Sequence, residues 1–200
     1  MTRILEVEGV RYQTHPDVYD PHDDTWLLAQ HVATLPPGRL LDLGTGTGVV
    51  AIAGALAGHD VVATDVNPHA LVLARANARL NARRVQVVRA DLVRGLRLDR
   101  FDNAVMNPPY LPTAPDEHVP GWLDRAFDGG PGGVDIVARL LQEWPLDGPV
   151  LWLLASTLQR LSELDGIARQ KGLSIDVVDE QAMPRERLQV LRVAPATRKG

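Results

Sequence analysis

The chain alternates short apolar runs with stretches of helical period: "RLLDLG" (39–44), "GVVAIAGALAG" (48–58), "DVVATD" (60–65), "NPHALVLARANARLN" (67–81), "RVQVVRAD" (84–91) and "RFDNAVMN" (100–107). Runs this short and this apolar are strands buried on both faces, and the amphipathic stretches between them are long enough to be helical crossovers. Strands joined in this way lie parallel, with helices covering both faces of the sheet. "PVLWLLAS" (149–156), "LSIDVVDEQAM" (173–183) and "ERLQVLRVA" (186–194) add three more strands, the last two separated by "PR" alone and therefore antiparallel. The expected fold is α/β: a doubly wound, seven-stranded, mainly parallel sheet closed by an antiparallel C-terminal hairpin.

Two hundred residues of which 45% are apolar support one core, so residues 1–200 are read as a single domain. Within it, residues 1–22 form an N-terminal hairpin or flap turning at Glu8 and Gly9. A first helix is expected from about Asp24 to Leu35, its apolar stripe running through Trp26, Leu27, Ala29, Gln30 and Ala33. Later helices are expected over Val134–Trp144 and Leu158–Lys171. Between them and the fourth strand lies a proline- and glycine-rich stretch of 23 residues, 111–133, long enough to be a binding loop. The formal charge of −4 provides no overall attraction to phosphate backbones. The absence of cysteine excludes disulfides and thiolate metal sites. No leader pattern and no apolar run of about 18 residues is present, which fits a soluble cytoplasmic protein.

"LLDLGTGTGVV" places Gly44, Gly46 and Gly48 between a strand and a helix, where glycine lets the backbone turn and approach a ligand. The spacing is GxGxG, with Val49 where a dinucleotide fingerprint requires its third glycine. Asp42, at the strand end, opposes a pyrophosphate but suits a cation such as the ammonium or sulfonium of S-adenosylmethionine. Asp65 ends the second strand, where a carboxylate can accept ribose hydroxyls. Asp91, followed by Leu92, ends the third, where an acceptor and an apolar neighbour suit adenine. Each aspartate alone reads equally well as a turn or a cap; three at one sheet edge behind a glycine loop read as a ligand site.

"NPPY" (107–110) arrives at the same edge. A conjugated NH2, in a carboxamide or a nucleobase, is a poor nucleophile because its lone pair is delocalised. The Asn107 side-chain oxygen and the Pro108 carbonyl can each accept one N–H and so aim the nitrogen at a methyl group. Pro108 and Pro109 stiffen the loop, and Tyr110 offers a flat face to a planar group.

With these motifs, the chain resembles the class I S-adenosylmethionine-dependent methyltransferases of the amino-methylating branch, which are Rossmann-like. "VYDPHDDTWLL", "FDGGPGG" and "PRERLQVLRV" resemble the HemK-like protein-glutamine methyltransferases of the short archaeal and eukaryotic type. The resemblance implies S-adenosyl-L-methionine as cofactor, contacted by Thr25, Asp42, Gly44, Gly46, Gly48, Asp65, Asp91, Leu92 and Asn107. It also implies a catalytic group of Asn107, Pro108 and Tyr110, and a substrate amide held by Asn107, Pro108, Pro109 and Tyr110. The substrate would be the glutamine of the Gly-Gly-Gln motif in class 1 release factors, methylated at N5. A small zinc-binding activator subunit docked along a sheet edge is a further implied partner, for which Val85 and Val87, beside Arg83 and Arg84, suit a covered edge strand. Three features depart from the family pattern: Asp42 stands where many relatives carry glutamate, His22 has no assigned role, and the substrate-recruiting domain of the long bacterial enzymes is absent.

An adenine methyltransferase acting on DNA or RNA shares the "NPPY" logic, but the loop after it carries Asp116, Glu117, Asp124 and Asp128 against Arg125 alone, which disfavours nucleic acid. A small-molecule N-methyltransferase and an inactive binding scaffold are the remaining alternatives. His15, Asp17, Asp20, His22, Asp23 and Asp24 crowd one segment without the spacing of a metal motif, so no metal site is expected there. His31, His59, His69 and His118 read as surface or packing residues, and Trp122 and Trp144 as core or lid.

Overall fold

The computed structural model describes residues 4–114 and 121–196; Asp116, Glu117 and His118 of the acidic loop lie outside them. A two-stranded hairpin, β1 (Leu5–Val7) and β2 (Val10–Tyr12), turns at Glu8 and Gly9, both at positive φ, the geometry of a type I′ turn. The main sheet follows: α1 (Asp23–Thr34), β3 (Arg39–Leu43), α2 (Val49–Leu56), β4 (Asp60–Asp65), α3 (Pro68–Leu80), β5 (Val85–Arg89), β6 (Asn103–Met106), α4 (Asp124–Phe127), α5 (Asp135–Glu143), β7 (Val150–Ser156), α6 (Leu161–Gln170), β8 (Leu173–Ala182) and β9 (Arg187–Pro195). Its seven strands run in the order β5-β4-β3-β6-β7-β9-β8; β3 to β7 are parallel, and β9 is antiparallel to both β7 and β8.

Strand alternation divides the core between two faces. Leu41 and Leu43 of β3, Ala104 and Met106 of β6, and Leu151 and Leu153 of β7 pack with Leu140, Leu141 and Trp144 of the α5 region and Leu164 of α6. Leu40, Val105 and Leu154 point the other way, onto Leu28 and Val32 of α1 and Val50 of α2. Because both faces are covered, the central strands β3, β6 and β7 are mostly apolar. The chain winds outward from β3 through β4 to β5, then returns to place β6 on the other side of β3. That reversal opens a crevice at the carboxyl ends of β3 and β6, where sheets of this kind bind ligands.

Three local expectations are corrected. The buried face of α1 runs through Asp24, Thr25, Leu28, Ala29 and Val32, whereas Gln30 and Ala33 are exposed. The Trp26–Gln30 side meets the hairpin instead: Trp26 lies against Tyr12 at 5.8 Å between ring centroids, and Gln30 donates to Glu8. Helix α6 starts at Leu161 rather than Leu158, because the Gln159 amide accepts from Ser156 N and donates to the Gly133 carbonyl. The 111–133 segment is not wholly irregular, since it contains the single turn of α4 and a bridge between Leu111 and Asp128.

Gly48 is the N-cap of α2 at φ 84°, and a Cβ there would lie 3.0 Å from the Ala74 backbone on α3. Left-handed strain and a contact that backbone cannot relieve act together. Gly48→Ala is expected to lower unfolding free energy by about 2 kcal/mol or more in urea denaturation; an unchanged midpoint would show that the two helices do not approach this closely.

Candidate functional site

A cavity of about 340 Å³ opens at the crevice between β3 and β6, within the size range of small-ligand sites. Its floor is the turn after β3. Thr45 N donates to the Thr64 carbonyl and Thr45 Oγ1 to Asp42 Oδ2 at 2.6 Å, tying the turn to both strands. Thr25, Asp42, Gly44, Gly46, Asp65, Asp91, Leu92 and Asn107 to Tyr110 all line the cavity. Gly48 does not; it faces α3, and its part is to seat the helix that carries the turn.

The acidic residues prove unequal. Asp42 is buried, and burial pushes its carboxyl up to about 7; the Thr45 hydrogen bond pulls against this rise while the Asp65 charge adds to it. Asp65 is also raised, chiefly by burial, although its oxygens accept from Gly46 N at 2.9 Å and Asn67 N at 2.8 Å. Each of these oxygens keeps a lone pair for a ligand hydroxyl. Asp91 lies two residues past the end of β5 and is ion-paired with Arg139 of α5 and with Arg94. Its carboxylate is therefore shared before any adenine amine reaches it. Leu92 beside it is held at φ 50°, a strained conformation for leucine that tends to persist at ligand sites.

Asp24, which sequence reasoning took for a helix-start residue, organises the opposite wall. His22 is the N-cap of α1, without a side-chain capping bond, and packs edge-on against Tyr19. Asp24 is 3% exposed. Its Oδ1 accepts from Thr25 N at 2.6 Å and Thr25 Oγ1 at 3.2 Å, and its Oδ2 from Tyr19 OH at 3.0 Å, Asn107 Nδ2 at 3.1 Å and Tyr110 OH at 3.4 Å. Both phenols are pushed up, by burial first and then by the Asp24 charge, so they remain donors. An ionised carboxylate only accepts, so the Asn107 NH2 must face it and Oδ1 must face away. That Oδ1 is buried and meets no protein donor among the described residues. Leaving such a carbonyl unpaired costs about 1–3 kcal/mol, which a ligand N–H would recover.

The "FDGGPGG" turn buttresses the same loop: a Cβ at Gly133 would fall 2.4 Å from the Tyr110 carbonyl, so only glycine fits there. Trp122, Arg125 and Phe127 form the outer rim, with Arg125 over the Trp122 ring and Phe127 edge-on to Tyr19. Trp144, by contrast, is a core residue.

The donor set fits a cationic nucleoside ligand. It combines buried acids, a glycine turn, an apolar and charged flank at Leu92 and Asp91, and an orphaned carbonyl at Asn107. Comparison with known proteins agrees on the class of fold. Residues 10–118 match the methyltransferase small domain. A protein named N5-glutamine methyltransferase from Methanocaldococcus jannaschii is 35% identical over 94% of this chain and 97% of its own length. The human methyltransferase HEMK2 is 33% identical over 88% of this chain and 89% of its own. The release factor glutamine methyltransferase of Deinococcus radiodurans is 37% identical over 72% of this chain, which spans 55% of that longer protein. Among solved structures, the E. cuniculi Mtq2–Trm112 complex, described as responsible for methylation of the eRF1 translation termination factor, superposes with a TM-score of 0.73 at 26% identity, covering 90% of this chain and 99% of that one.

A cation beside Asp42 needs that carboxyl ionised, and its raised pKa means that binding below pH 7 must first release a proton. Affinity for a sulfonium nucleoside, read by calorimetry, is expected to fall about tenfold from pH 8 to pH 6, and Asp42→Asn to flatten that slope. A flat profile in the parent protein would contradict the placement of the cation.

Proposed function

Because the chain belongs to the methyltransferase small domain family and, within it, to the HemK-like protein-glutamine methyltransferases, we propose that it methylates the side-chain amide of the glutamine in the Gly-Gly-Gln motif of a class 1 release factor. The observation that carries this reading is the buried Asn107 Oδ1, left without a donor among the described residues on a residue that lines the cavity, while Asp24 holds the NH2 of the same amide.

S-adenosylmethionine, when bound, supplies an electrophilic methyl group on a sulfonium. Asp42 lies where it would neutralise cationic charge, Asp65 would accept ribose hydroxyls, and Leu92 with Asp91 would flank the base. Asn107 Oδ1 accepts one N–H of the substrate amide and the Pro108 carbonyl the other, so the nitrogen loses rotational freedom and presents its face in line. Fixing both N–H bonds would hold the amide in the one orientation from which nitrogen can form the new C–N bond as the methyl–sulfur bond breaks and sulfur leaves as a neutral thioether. The proton becomes acidic only as nitrogen is alkylated, and it leaves to water, so no side-chain base is needed. Tyr110 and Tyr19, both anchored on Asp24, wall off the planar amide. The outer rim around Trp122 and Arg125, part of the 111–133 loop, would meet the peptide flanking the glutamine.

The partner reading extends to a small activator subunit. β5 is an outer strand of the sheet with Val88 43% exposed, and Arg75 caps the Val87 carbonyl. An outer strand is a surface that a second chain can extend, here with the Arg75 cap on Val87 displaced. Among the described residues, no helix is long and apolar enough to cross a membrane.

Incubation with labelled cofactor, with and without a candidate activator, is expected to label a class 1 release factor and to spare its Gln→Ala motif variant. Equal labelling of both, or labelling of oligonucleotides instead, would reject the assignment. Asn107→Ala is expected to abolish measurable turnover while shifting cofactor affinity by no more than about 1–2 kcal/mol, because its lost contacts are to the reacting group. Asp24→Asn introduces a donor where three donors converge and frees the Asn107 amide to rotate. Its kcat should fall about tenfold to a hundredfold with a smaller change in cofactor affinity; parallel losses in both would assign Asp24 to cofactor binding alone.

A further inference from the structure

The geometry points to a divalent transition-metal site, of the zinc type, made by His15, Asp17 and His69 at the edge of the cavity. The sequence separates these residues into a loop before α1 and the first turn of α3, and the fold brings them together. The His15 and His69 rings stack with centroids 4.8 Å apart and planes 19° from parallel. Asp17 Oδ2 is 3.9 Å from His15 Nδ1 and 3.9 Å from His69 Nε2, and one donor atom from each of the three lies within 4.8 Å of the others.

The arrangement is built from both sides. Asn67, the N-cap of α3, donates from its side chain to the Asp17 carbonyl at 2.8 Å and accepts from His69 N at 2.9 Å, so one residue positions two of the three ligands. Val18 N donates to the His15 carbonyl and closes the turn. Two imidazoles and one carboxylate suit zinc and its neighbours in the first transition row, whereas magnesium and calcium prefer oxygen alone. Ligands about 2.0–2.2 Å from a tetrahedral ion are roughly 3.3–3.6 Å apart. The two 3.9 Å separations therefore require half-exposed side chains to close by a few tenths of an ångström, the two imidazoles, whose donor atoms lie within 4.8 Å, to close by up to roughly 1.5 Å, and the bond from Asp17 N to His15 Nδ1, 3.1 Å long, to give way. With three protein ligands, the fourth position is open to solvent. Because Asp17, Val18 and Asn67 also line the cavity, a bound ion would fasten the loop before α1 to α3 and stiffen that wall. This inference does not depend on the methyl-transfer reading.

The test is calorimetric titration of zinc chloride into the untagged full-length protein at pH 7.5. One zinc per chain is expected to bind with a dissociation constant on the order of micromolar or below. His15→Gln and His69→Gln should each weaken it about tenfold or more, with far-ultraviolet circular dichroism confirming that each variant is folded. Asp17→Asn, which preserves shape, should weaken it likewise and carries the test if either histidine variant melts early. Absence of saturable one-to-one binding below about 100 μM, or parent-like affinity in the folded variants, would overturn the site.

Discussion

The hydrogen bond from Asn107 Nδ2 to Asp24 decides what the site can do. An asparagine amide is nearly symmetric in shape and can face either way; a carboxylate that only accepts removes the choice. With the NH2 held by Asp24 at 3.1 Å, the carbonyl oxygen is turned away from that carboxylate and left buried without a protein partner among the described residues. A fold selected for stability alone would not keep a carbonyl in that state at a cost of about 1–3 kcal/mol. Tyr19 and Tyr110 converge on the same carboxylate and make the loop before α1 and the loop after β6 a single wall.

That wall stands where it does because of the sheet. β3 and β6 are paired neighbours, and Asp42 in β3 and Asn107 just past the end of β6 both line the crevice. The glycine turn after β3, seated by the close approach of α2 to α3, leaves room for a ligand between them. The turn at Gly133 fixes the far end of "NPPY" from behind. Cation side and amide side are thus positioned by backbone, with side chains supplying charge and direction.

The strands, their order of appearance and the carboxyl-end residues were legible in the sequence because each rests on local information: apolar period, glycine spacing, a Pro after an Asn cap. Contacts between distant segments were not. Asp24 looked like a helix-start residue because Asp is common there, and nothing local indicates that Tyr19, Asn107 and Tyr110 all reach it. The inward face of α1 differs from the expected stripe because Trp26 and Gln30 meet the N-terminal hairpin rather than the sheet, a contact that the helical period of α1 does not encode. Asp91 lies two residues beyond the position paired with Asp65, and Arg139, 48 residues later, claims part of its charge. His69 looked solitary because its neighbours His15 and Asp17 lie more than 50 residues away.

The account is tested most directly by a crystal structure of the protein with the demethylated cofactor and a short peptide containing Gly-Gly-Gln. The glutamine side-chain nitrogen is predicted to lie about 3 Å from Asn107 Oδ1, with Asn107 Nδ2 still bonded to Asp24. A glutamine bound away from residue 107, or an Asn107 amide reversed so that its NH2 faces the peptide, would contradict it.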